Sequence, residues 1–237
     1  MNGQPAIKSS GRAAAIAVAL LSALAICGAA FLAGDPAVPF ANYFGAIPPV
    51  RATLIVVVLA ALAHWLLRSM NAFHVLRAGR PYVGLAVAVT AGMALAVPTV
   101  VADIVWNFPR DINVAPPQAF LFYPLMGYVA ETVFHLAPLT AVLLVARAAT
   151  GACSDRAVRF AILLAAAVEP VFQAWGAFGA DTVAALDIFM LAHLYLFGII
   201  LLAVYRRYGF VTAFVLRLAY YLVWHILWGV GRLSLLY

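Results

Sequence analysis

The sequence predicts an all-α fold: a polytopic membrane helix bundle of about seven transmembrane helices, with the N-terminus cytoplasmic and the C-terminus outside. Three observations predict it. Of 237 residues, 67% are hydrophobic and only 9% charged, where a water-soluble domain carries about 25% charged residues. The mean hydropathy is +1.06. Seven apolar stretches also follow one another with only short breaks between them, each able to cross a hydrocarbon core of about 30 Å. Spans of this kind must be helical, because lipid offers the backbone no hydrogen-bond partners. Residues 1–237 therefore read as a single integral membrane domain, and any chemistry must sit inside the bilayer or at its edge.

The spans fall at about 13–33, 52–67, 82–106, 118–146, 157–178, 183–204 and 210–235. The second is short, with Arg51 and Arg68 at its ends. It can still cross if the two arginines snorkel to the interfaces. Helix-breaking or polar runs separate the spans, among them Gly34-Asp35-Pro36, Arg77-Ala78-Gly79-Arg80-Pro81, Pro109-Arg110-Asp111, Ala115-Pro116-Pro117, Gly151-Ala152-Cys153-Ser154-Asp155 and Arg206-Arg207-Tyr208-Gly209.

Loop charge sets the orientation. Lys8, Arg12, Arg68, Arg77, Arg80, Arg147, Arg156, Arg159, Arg206 and Arg207 fall on one side, against Arg51, Arg110 and Arg232 on the other. The positive side is the cytoplasmic one, in a multi-pass protein of the cell membrane. Lys8, Arg12 and the alanine-rich run behind them resemble a signal peptide. Ile26 is bulky where cleavage needs a small residue, and the apolar run continues to Ala33, so an uncleaved anchor span is expected. Cys27 and Cys153 fall in a span and a cytoplasmic loop, which implies no disulfide framework. The net charge of +6 comes from scattered arginines. Without a basic cluster or a binding fold it does not indicate nucleic acid as a partner; membrane lipid is the expected one.

Ionisable residues inside spans cost roughly 2.5–3.5 kcal/mol each at the centre, so their positions carry information. Glu131 and His135 lie near the middle of span four, Glu169 and Gln173 in span five, His193 in span six, and Arg217 and His225 in span seven. Glu131/His135 and Glu169/Gln173 are i,i+4 pairs, each on one helix face. Arg217, Tyr221, Trp224, His225, Trp228 and Arg232 recur every three or four residues as one polar-aromatic stripe, which should face the bundle interior. Pro138 and Pro170 lie close to the two glutamates and should kink their helices. His64, His74, Asp103 and Asp187 read as packing, loop or interfacial residues; Asp103 and Asp187 lie near enough to the outer interface to reach water.

The Glu131, His135, Glu169, His193 and His225 set is the equipment for hydrolysis. A glutamate taken out of water can act as a general base, an imidazole can orient water, and a second imidazole or Arg217 can stabilise an oxyanion. Gln173, Arg217 and Tyr221 are the expected substrate or oxyanion supports. Glu131, His135, His193 and His225 could equally bind a divalent metal such as zinc, which would activate water as a Lewis acid. HExxH and GxSxG strings are absent.

The order of these residues resembles the CAAX-protease and bacteriocin-processing (CPBP) family of intramembrane glutamic endopeptidases, whose motifs EExxxR, FxxxH and HxxxN or HxxxD lie on successive spans. Ala130-Glu131-Thr132-Val133-Phe134-His135 resembles the first, with Ala130 in place of one glutamate and His135 in place of the arginine. Glu169-Pro170-Val171-Phe172-Gln173 resembles the second, with Gln173 for histidine; Phe189-Met190-Leu191-Ala192-His193 gives an FxxxH string one span later. His225-Ile226-Leu227-Trp228-Gly229 resembles the third, with Gly229 for Asn or Asp, and Tyr205-Arg206-Arg207-Tyr208-Gly209 is similar to the family's turn before the last span. The resemblance covers a core of about 118–231 and leaves the spans in 13–106 accessory.

The resemblance implies an intramembrane peptidase that acts on a peptide or lipidated-protein substrate at the membrane. Glu131 and His225 would activate water, and His193 or Glu169 would complete the site. Two other readings of the same cluster stay open: a proton or ion site, and a structural scaffold.

Overall fold

The computed structural model describes residues 11–77, 81–177 and 184–237. The chain is a multi-pass helical membrane protein with no strand among the described residues. Its elements are α1 (Gly11–Leu32), the short α2 (Phe40–Phe44), α3 (Pro49–Ser69), α4 (Pro81–Trp106), α5 (Ala119–Thr150), α6 (Asp155–Ala166), α7 (Val168–Ala177), α8 (Ala184–Tyr208) and α9 (Phe210–Leu235). Among the described residues, α1, α3, α4, α5, α8 and α9 are long and apolar enough to cross a membrane.

The expected fifth span, 157–178, is not one continuous helix. It is broken at Ala167 into α6 and α7. Pro170 supplies the reason. It has no N–H for the Ala166 carbonyl, and its ring would collide with that carbonyl in a continuous helix.

Small residues set the closest packing. Gly84, Ala88, Gly92 and Ala96 line one buried face of α4 at four-residue intervals, and α4 makes the bundle's most extensive helix pairing, with α9. A Cβ added at Gly92 would lie 2.8 Å from Ala219 Cβ. Backbones that approach this closely gain dispersion contacts, the principal attraction between helices in lipid. α1 packs on α5 and α3, and the buried hydroxyls of Ser22 and Tyr128 join α1 to α5 at 3.0 Å.

The α8–α9 turn needs glycine. Gly209 adopts φ +101°, and a Cβ there would meet Val75 O at 2.8 Å. The close approach lets the His74 and Val75 carbonyls accept from Phe210 N–H and Val211 N–H at 3.1 and 3.2 Å, which satisfies two orphan donors at the start of α9.

Two long helices carry a wide, π-helical turn: Glu131–Leu136 in α5 and Leu222–Trp228 in α9. Pro138 follows the first and leaves the Phe134 carbonyl without its usual donor. Thr132 within that turn and Thr140 just beyond it donate to the Tyr128 and Leu136 carbonyls at 2.8 and 2.7 Å. Such turns interrupt the regular ladder and are frequent at functional sites.

Candidate functional site

Arg217 organises the bundle interior. It is 2% exposed, and all five of its N–H groups have partners. Nε donates to Glu131 Oε1 in a short contact. Nη1 donates to Glu169 Oε1 at 3.1 Å and to the Tyr221 hydroxyl at 3.1 Å. Nη2 donates to Glu169 Oε2 at 2.8 Å and faces His135 Nδ1 at 3.4 Å. The guanidinium also lies over the Phe197 ring, 5.0 Å from its centroid.

His135 completes the group. A guanidinium has no acceptor, so His135 Nδ1 carries the lone pair and Nε2 the proton. Nδ1 is 3.7 Å from Glu131 Oε2, and Nε2 is 3.7 Å from Glu169 Oε2. Nε2 is buried and has no hydrogen-bond partner among the described residues. Glu131 and His135 are 1% exposed and Glu169 4%. The wide turn of α5, the start of α7 and the N-terminal half of α9 thus bring Glu131, His135, Glu169 and Arg217 into one buried cluster. Gln173 is exposed, and its Nε2 donates to Glu169 Oε1 at 3.5 Å, which ties the buried carboxylate to the surface of α7.

The remaining expected site residues have partners of their own. His193 Nε2 pairs with the Thr99 hydroxyl at 3.0 Å, Thr99 in turn reaches the Tyr220 hydroxyl at 2.9 Å, and Phe189 stacks on the imidazole. His225 is half-buried and lies beside Tyr221, with ring centroids 4.9 Å apart. It stacks on Tyr123 at 4.4 Å, and its Nδ1 faces Asn113 Oδ1 at 2.6 Å. Sequence reasoning missed Thr99, Tyr220, Tyr123 and Asn113. Nothing in their spacing marks them, since each acts from a different helix or loop than the histidine it holds.

The stripe on α9 divides at its wide turn. Arg217 and Tyr221 face the glutamates, whereas Trp228 and Arg232 face Asp103. Asp103 does not reach water as expected; it is 0% exposed, as is Arg232. Its oxygens accept from Arg232 Nε at 2.6 Å, Arg232 Nη2 at 2.8 Å, Trp228 Nε1 at 2.6 Å and Phe108 N–H at 2.8 Å. Arg232 also donates to the Phe108, Pro109 and Arg110 carbonyls. This fully satisfied clamp fastens the end of α9 to the loop after α4. His64 packs edge-on against Phe210 with ring centroids 4.6 Å apart, a core role as expected.

The metal reading does not fit this donor set. Among the described residues, no group of three or more His, Cys, Asp or Glu side chains is arranged to hold a metal ion. Both carboxylates of the cluster are engaged by a guanidinium, a fixed cation that would repel a second one. His193 and His225 are held by Thr99 and Asn113. The chain matches no family model, no curated protein and no solved structure.

Proposed function

We propose that the chain is an intramembrane hydrolase of CPBP-like type, a peptidase acting on a membrane-proximal peptide or lipidated-protein substrate in the cell membrane. The observation that carries this reading is the convergence of Glu131, His135 and Glu169 around Arg217, with half-buried His225 one aromatic ring away. Glu131 Oε1 is committed to Arg217, while Oε2 faces His135. Oε2 takes the proton of a water molecule as its oxygen adds to the scissile carbonyl carbon. His225 orients that water by accepting its other hydrogen at the imidazole lone pair, and the leaving amine takes the proton held by Glu131 as the C–N bond breaks. Arg217 fixes the two carboxylates rather than the oxyanion, since its donors are used up. Gln173 and the break at Ala167 supply the approach from the face of α7. In this reading the α6–α7 pair crosses the membrane as a seventh, kinked span, which leaves the N-terminus cytoplasmic and the C-terminus outside; reporter fusions at the two ends test this.

The enzymatic test is cleavage of a library of acyl-anchored fluorogenic peptides by protein reconstituted in nanodiscs. Glu131→Gln and His225→Ala should each lower turnover by at least about a hundredfold, in line with loss of a general base or of the group that orients its water. Full activity in both variants rules the mechanism out.

A second reading has its own support. The cluster is almost wholly buried and holds two carboxylates against one guanidinium, a pattern that also suits a proton-translocating site. Proton flux in proteoliposomes that is lost in Glu131→Gln, without any peptide cleavage, selects this reading instead.

A further inference from the structure

We infer that Asn113 is the positioning residue for His225, fixing its tautomer from the loop between α4 and α5; the catalytic consequence rests on the hydrolase reading, but the tautomer itself does not. Asn113 Oδ1 lies 2.6 Å from His225 Nδ1. An amide oxygen only accepts, so Nδ1 carries the proton and the lone pair is at Nε2. Nε2 has no hydrogen-bond partner among the described residues. It is the nitrogen left to accept a hydrogen bond from a water molecule.

Three features hold the amide in place. The Val114 N–H donates to the Tyr123 hydroxyl at 2.8 Å, and the Tyr123 ring stacks on His225 at an interplanar angle of 18°. On the other side of Asn113, Arg232 holds the Pro109 and Arg110 carbonyls. Gly229, one turn beyond His225 on α9, makes the room. A Cβ built there would lie 3.1 Å from Asn113 Nδ2 and 3.2 Å from Asn113 Cβ. The loop amide therefore occupies the space that a side chain at 229 would fill, and Asn113 Nδ2 is buried there without a hydrogen-bond partner among the described residues. Polar groups this deep are oriented by neighbours when they have work to do. A fixed tautomer is what separates a histidine that can accept a proton at Nε2 from one that cannot.

The test is nitrogen-15 NMR of histidine-labelled full-length protein in nanodiscs, with the His225 signals assigned by their loss in His225→Gln. The expected spectrum of the unsubstituted protein has a proton on Nδ1 and none on Nε2. Asn113→Ala should mix the two tautomers and lower peptide hydrolysis by about tenfold, the rate equivalent of one net hydrogen bond. Asn113→Asp, which keeps the acceptor, should keep the Nδ1 proton. In Asn113→Gly with Gly229→Asn, an amide supplied from α9 should restore the Nδ1 signal. A proton on Nε2 in the unsubstituted protein, or an unchanged His225 spectrum in Asn113→Ala, overturns the assignment. If hydrolysis is absent throughout while the tautomer responds to Asn113 as stated, the positioning role stands and the hydrolase reading falls.

Discussion

Replacing Arg217 with Met should be among the most damaging single changes to the fold. Methionine fills a similar volume but leaves Glu131 and Glu169, 1% and 4% exposed, without their counter-charge. Each carboxylate lies within a few ångströms of the guanidinium, and such a contact is worth roughly 4 kcal/mol at an effective dielectric of 20. Two contacts give about 8 kcal/mol gross. Most of that is offset by the cost of taking the charges out of water, and breaking a buried pair has a net cost of about 3–5 kcal/mol. The Tyr221 hydroxyl also loses its donor. Reversible unfolding in mixed micelles, followed by far-UV circular dichroism, reads the loss directly. The triple variant Arg217→Met/Glu131→Gln/Glu169→Gln removes all three charges and should recover most of it, since an uncharged replacement for a buried ion pair is often neutral or stabilising. A loss below about 1 kcal/mol in Arg217→Met would refute the reasoning, because that is the worth of an exposed pair.

Gly92→Leu should force α4 and α9 apart, because even a Cβ at 92 overlaps Ala219; a loss of at least about 1–3 kcal/mol is expected in the same unfolding assay. Asp103→Ala should strand Arg232, buried near the C-terminal end of α9, at a cost of about 3–5 kcal/mol, seen as faster proteolysis of the chain after the Phe108 N–H loses its acceptor. His74, in the loop after α3, has its pKa pulled below the ordinary imidazole value by burial, then by Arg77 and Arg68. The unfolded chain therefore binds a proton there more readily than the folded one, so stability should fall as pH drops through the ordinary imidazole value of about 6.5. His74→Gln should flatten that part of the stability curve, and an unchanged slope would count against the account.

Much of the buried cluster was legible because it obeys helical spacing. The i,i+4 relation put Glu131 and His135 on one face, and the three-to-four residue recurrence put Arg217 and Tyr221 on another. The cost of charge in lipid then required those faces to meet. Other features were not local in this sense. His193 and His225 have the same depth signal as His135, yet Thr99 on α4 and Asn113 in a loop claim them. No pattern within one helix reports what another element brings. The stripe on α9 looked continuous at helical period, but the wide turn at Leu222–Trp228 shifts its phase and sends Trp228 and Arg232 to Asp103. Pro170 announced a kink; that it ends one helix and starts another at Ala167 depends on the close crossing of α8, where a Cβ on Gly198 would touch Ala166 at 3.1 Å.

The charge count of the cluster makes a sharper demand than either functional reading. With His135 neutral, two carboxylates and one guanidinium leave one negative charge in a water-poor interior. A single proton brings the set to neutrality, and a group that takes and returns one proton is what both hydrolysis and proton translocation require. Glu131→Gln and Glu169→Gln each reach neutrality without that proton. Each single variant should therefore fold with a loss of only about 1–2 kcal/mol, the scale of one hydrogen bond to a charged group, while turnover or flux falls by at least about a hundredfold. The double variant leaves Arg217 as an unpaired buried cation and should lose about 3–5 kcal/mol, more than the two single losses together if the sites couple through the shared guanidinium. Unfolding of the two single variants and the double variant completes a double-mutant cycle. If the double loss equals the sum of the singles, Arg217 is not balancing the pair, and the mobile proton has no basis in the cluster.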